Sequence, residues 1–174
     1  MLPNTEKKRR QRGAAMVEFT IAGVAALTLM VSTVQIGLGM WNYHTLAYAV
    51  HETNRYISTH GRNCSLGGNT CTITVADIAN KMINNGVGLP SGSVIMTLTS
   101  NSGTVYTCNP VSSCTSDSTQ WPPIAHLDNY TGKYSQVTST YTFNSAAVAM
   151  WYGWRGQRIS SITLKSTSKI KMLF

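Results

Sequence analysis

The sequence predicts an α+β chain: a long N-terminal transmembrane and amphipathic α-helix, then a small antiparallel β-sheet domain with one short helix. Three observations predict it. A charge-free apolar run follows a basic cluster near the start. The segment 75–86 has apolar residues at helical spacing. The segments 94–108, 133–145 and 159–173 are rich in β-formers and partly alternate.

The anchor is the clearest element. Lys7, Lys8, Arg9, Arg10 and Arg12 precede the run. From Phe19 to Trp41 no residue is charged over 23 positions. At about 1.5 Å per residue such a helix is about 34 Å long, enough for a hydrocarbon core of roughly 30 Å. Basic residues flank its start, and the next one after it is Arg55. That asymmetry predicts a cytoplasmic N-terminus and an exported remainder. Trp41 and Tyr43 fall where an interfacial aromatic belt would lie. A buried core helix and a cleaved signal peptide compete with this reading. Core helices are usually shorter and lack the basic flank. Ala47-Tyr48-Ala49 has the small-x-small form of a signal peptidase site, but signal-peptide cores run about 7–15 residues, shorter than this one.

The helix is expected to continue past the membrane. Tyr43, Leu46, Ala47, Val50 and Ile57 keep helical spacing, with His51, Glu52 and Arg55 on other faces. Gly61 is a natural stop. The predicted division is a basic cytoplasmic leader at 1–13, a long helix at 14–60 spanning the membrane at about 19–41, and an exported domain at 61–174.

In that domain, Val75, Ile78, Ala79, Met82 and Ile83 form an apolar stripe, and Asn85-Gly86 ends the helix. Thr74 is its expected N-cap, with Asp77 completing a capping box. Residues 94–100 and 104–108 flank Asn101-Ser102-Gly103 as a hairpin. Residues 109–132 read as loop. Residues 133–145 and 159–173 read as later strands, with Lys165, Lys169 and Lys171 on a solvent face. Residues 146–157, including Met150, Trp151, Tyr152 and Trp154, fit a helical turn or an apolar loop.

All four cysteines lie after the anchor. Cys64 and Cys71 bracket one turn-like segment, and Cys108 and Cys114 another. Four cysteines allow three connectivities; the two local bridges are expected, in an oxidising compartment. Zinc is the rival, but these spacings exceed the usual C-x2-4-C.

Composition narrows function. The net charge of +8 divides into +4 within residues 1–13 and +4 scattered over the rest. No compact basic stripe with interleaved aromatics exists, so nucleic acid is not an expected partner. His44 and His51 share a helical face and make a metal pair conceivable, though a solvated or packed face explains them better. No HExxH, GxSxG or phosphate-cradling loop is present. Neither catalytic residues, a metal nor a cofactor is expected.

The segment RRQRGAAMVEF (9–19) places a basic cluster, Gly13, small and apolar residues, Glu18 and Phe19 at the mouth of the span. It resembles the class III signal of type IV pilins and pseudopilins, and is most similar to the TadE-like family of the tight-adherence (Tad/Flp) pilus system. The resemblance covers about residues 9–60. It implies a single-pass bacterial inner-membrane protein and cleavage by a prepilin peptidase between Gly13 and Ala14. It further implies a role for Glu18, beside Phe19, in pairing with the Ala14 amine of an adjacent subunit. A carboxylate at a bilayer centre costs roughly 2.5–3.5 kcal/mol and less near an edge; at a helix start it also meets the positive end of the helix dipole. Because the major pilins of such systems are much shorter, the resemblance points to a minor pseudopilin, with other pilins and the assembly platform as partners. The alternative is a membrane-anchored extracytoplasmic binding module outside any pilus.

Overall fold

A computed structural model of the chain describes residues 5–68, 71, 73–144 and 161–173. The ambiguous segment 146–157 and its Trp-rich stretch lie outside the described residues. The chain divides into two units, Met1–Leu38 and Gly39–Phe174. One α-helix, α1 (Thr5–Thr59), runs through the division.

From Phe19 to Leu38 α1 carries no charged residue on any side, and Met16, Val17, Phe19, Ile21, Val24, Leu27, Leu29 and Met30 are exposed. Burying such a side chain is worth about 1.5–3 kcal/mol. Such a helix therefore needs an apolar surrounding, which the first unit does not supply. The helix begins at Thr5 rather than near Ala14, so its backbone is already helical through Gly13.

The second unit takes in the rest of α1, not only the residues after 60, because that stretch is part of its core. Leu46, Ala49, Val50 and Ile57 are fully buried. Their spacing of three, one and seven residues keeps them on one face of a 3.6-residue helix. Trp41, Tyr43, Tyr48, His51 and Arg55 are exposed. The helix ends at Thr59, two residues before Gly61.

The second helix, α2 (Val75–Asn85), is held at its start by the predicted capping box. The Asp77 N–H donates to Thr74 Oγ1 at 3.2 Å, and the Thr74 N–H donates to Asp77 Oδ2 at 2.8 Å. The first turn of a helix leaves its amides without intrahelical acceptors. Here the Val75 and Ala76 amides donate to the carbonyls of Thr119 (2.8 Å) and Asp117 (2.9 Å). Val75, Ile78, Ala79 and Met82 of the stripe are buried.

Four strands follow: β1 (Val94–Ser100), β2 (Val105–Cys108), β3 (Tyr134–Phe143) and β4 (Ile162–Lys171). They form one antiparallel sheet in the order β2-β1-β3-β4. One face supplies Val94, Met96, Leu98, Cys108 and Val137 to a core shared with α1 and α2. The other is a hydroxyl face. Thr107, Thr97, Thr138 and Thr167 fall on one rung across all four strands. Lys165, Lys169 and Lys171 are exposed on this face, as expected. The 3-10 turns at Cys64–Gly67, Val111–Cys114 and Ile124–His126 lie in segments read from the sequence only as loops.

Candidate functional site

The expected functional residues near the N-terminus all lie on α1. Gly13 and Ala14 fall within its helical backbone, with side chains outside the described residues. A glycine weakens a helix by about 1 kcal/mol relative to alanine, so the turn at Gly13 unwinds more easily than an alanine turn would. Glu18 and Phe19 are exposed one turn further on, Phe19 at 81%. Among the residues whose side chains are described no cation lies within ion-pair distance of Glu18; Glu52 pairs with Arg55 at 3.8 Å, with His51 Nδ1 at 3.9 Å from it.

Past Glu18 four hydroxyls of the helix bond to its own backbone. The Thr20, Thr28, Ser32 and Thr33 hydroxyls donate to the carbonyls four residues back, Met16, Val24, Thr28 and Leu29, at 2.6–2.9 Å. In hydrocarbon an unpaired hydroxyl is costly, and this back-bonding removes that cost without a partner helix. From Ala15 onward the helix is long and apolar enough to cross a membrane.

In the second unit the cysteines pair locally, Cys64 with Cys71 and Cys108 with Cys114, and none is free. Of the three connectivities open to the sequence, this is the one expected. The 108–114 bridge ties the end of β2 to a turn whose Val111 reaches the core. Among the described residues no three His, Cys, Asp or Glu side chains are grouped to hold a metal. His51 instead sits 3.9 Å from Glu52.

Two carboxylates that the sequence did not single out act as clamps. Asp128 is buried at 1% exposure and accepts from the Ser102 N–H (3.1 Å) and hydroxyl (2.5 Å), holding the β1–β2 turn. Burial pushes its carboxyl up. Hydrogen bonds from Ser100 and Ser102, with His126 nearby, outweigh that and hold it below the ordinary carboxylate range. Asp117 accepts from the Thr119 N–H at 2.9 Å and from the Tyr106 hydroxyl. Those bonds, from Thr119 first, lower its carboxyl, and the bond to Asp117 raises the Tyr106 phenol. Sequence spacing does not mark the long-range half of either clamp, because Tyr106 is 11 positions from Asp117 and Ser102 is 26 from Asp128.

Comparison with known proteins bears on the helix alone. No curated protein and no solved structure matches the chain. Residues 13–55 match the family model described as TadE-like protein. The match begins at Gly13 and takes in Glu18, the apolar run and the first two turns and more of the buried stretch of α1. The similarity to the TadE-like family is thus confined to this segment, about a quarter of the chain.

Proposed function

We propose that the chain is a minor pseudopilin that joins or initiates a Tad-type pilus and carries no enzymatic activity of its own. The observation that carries the reading is the RGAAMVEF motif at the mouth of an exposed apolar helix, inside the matched segment. In this reading a prepilin peptidase cuts after Gly13 on the cytoplasmic face, removing a leader whose net charge is +4. That loss eases withdrawal of the helix from the membrane, because the leader's cations no longer hold it at the cytoplasmic surface. Ala14 becomes a charged amine, and Glu18 of a neighbouring subunit neutralises it. An amine and a carboxylate brought together in a low-dielectric setting attract far more strongly than in water, so one pair sets the register between helices. The basic flank directs the N-terminus to the cytoplasm and the domain to the periplasmic side, where two disulfides are stable.

The test is the mass of the mature N-terminus in cells with and without prepilin peptidase. A chain beginning at Ala14 only when the peptidase is present supports the proposal. A chain beginning at Met1 in both strains favours an anchored binding module, and one beginning at Val50 an ordinary cleaved signal peptide.

A further inference from the structure

We propose that the outer edge of β4 accepts an extended acidic segment of another protein, which adds a fifth strand to the sheet. The sheet has two ends, and they differ. β2 has four residues, and the Cys108–Cys114 bridge ties its last residue into an adjoining turn. Short, anchored edges resist further pairing. β4 has ten residues, all ten registered against β3 on its inner side. On its other side no described residue pairs with it. A strand of this length leaves a row of unpaired N–H and C=O groups open to a template-matched partner.

Charge selects the partner. Lys165, Thr167, Lys169 and Lys171 alternate on the exposed face of β4, and Leu164, Ser166, Ser168 and Ile170 alternate on the half-buried face. Strands β1, β2 and β3 place no carboxylate on either face. Lys169 and Lys171 are held beside the Tyr134 ring, at 4.9 and 5.3 Å from its centroid, so part of this charge is positioned. In an added strand, every second residue would lie next to this lysine row. Acidic residues there gain a cross-strand partner, and small or apolar ones suit the opposite face. A second copy of β4 is the wrong occupant, because antiparallel self-pairing sets lysines against lysines, and like charges opposed across strands destabilise. The same lysines that keep copies apart thus admit an acidic strand.

The test uses the full chain in lipid nanodiscs and a ten-residue peptide of alternating Glu and Thr, with binding read by fluorescence anisotropy. Three comparisons decide it. The Glu-Thr peptide should bind at least about tenfold more tightly than the matching Lys-Thr peptide, roughly 1.4 kcal/mol. The triple variant Lys165→Glu, Lys169→Glu, Lys171→Glu should invert that preference. N-methylation of alternate peptide amides on the pairing edge should abolish binding, and the unmodified peptide should slow amide exchange in β4. Undiminished binding of the N-methylated peptide would mean charge attraction without strand pairing and overturn the proposal. So would equal or absent binding of both peptides, or a Thr167→Cys variant that cross-links β4 to β4 between copies. None of these readouts depends on pilus assembly or on cleavage after Gly13.

Discussion

Asn54, buried near the C-terminal end of α1, donates from Nδ2 to Ser168 Oγ on β4 at 3.2 Å and to the Ser135 carbonyl on β3 at 3.3 Å. One amide thereby fastens the helix to two neighbouring strands. The small side chains of Ser135, Ser139 and Ser168 on that face let the helix lie close. Asn54→Ala removes both bonds, a loss worth about 1–3 kcal/mol at roughly 0.5–1.5 kcal/mol each. The expected result is a lower urea midpoint for the full chain in detergent, followed by tryptophan fluorescence. His51→Ala, three residues away on the exposed face, should shift stability by no more than about 0.5 kcal/mol. Equal effects would show that Asn54 is not a fastening point.

Glu18→Ala separates the proposed assembly role of Glu18 from a purely boundary role. Loss of sheared surface filaments with normal release of the first thirteen residues is the outcome expected of an assembly residue. Filaments at the normal level would leave Glu18 as a boundary residue that meets the helix dipole and nothing more.

The two disulfides each close a short loop, of seven and six residues in sequence separation. Bridges over such loops stabilise by about 2 kcal/mol through the unfolded chain. Peptide mapping without reductant should recover Cys64–Cys71 and Cys108–Cys114. Cys108→Ser with Cys114→Ser should cost more than the equivalent pair at 64 and 71, since Cys108, Val111 and Cys114 are all in the core and serine buries a hydroxyl there. Four free thiols in protein purified without reductant would rule the bridges out.

Asp128 makes stability depend on pH in a stated direction. Its folded value lies below the ordinary carboxylate value. The ionised clamp therefore stabilises the fold fully above the unfolded value of about 3.9. That contribution is lost as pH falls through the lower folded value. Asp128→Ala should cost about 1.5–3 kcal/mol near neutrality, the range for hydrogen bonds to a charged group. The gap between variant and parent should close in denaturation curves taken well below pH 4. A gap that stays constant across that range would mean the carboxylate charge is irrelevant to the clamp.

The capping box on α2 supplies a smaller test. Thr74→Ala removes the acceptor for the Asp77 N–H and should cost about 1 kcal/mol. Its effect belongs in the equilibrium unfolding of the full chain, and a value near zero would mean that the Thr119 and Asp117 carbonyls already hold that helix end.

Several features were legible in the residues because their causes are local. The apolar run and its basic flank are a length and a charge count. The α2 stripe, the Thr74–Asp77 box and the alternation of β1 are patterns within a few residues, and the structure places all three as expected. The sequence by itself therefore determined the anchor-like helix, the family resemblance of its first segment, the short capped helix and the approximate bounds of four strands. Tertiary structure decided the rest. That β1 lies inside the sheet and β4 at its edge depends on pairings between residues distant in sequence, Val94 with Tyr141 and Tyr134 with Lys171, and α1 reaches β4 through Asn54 and Ser168, 114 apart. Trp121 reads as part of a Pro-rich loop, yet it is 2% exposed because its edge meets Tyr106 and the core closes over it. Asn54 and Asp128 are polar residues whose burial is tolerable only once distant donors and acceptors reach them. Periodicity reports which face of an element is apolar; it carries no information on which distant element will cover that face, and on that choice both clamps and the open edge of β4 depend.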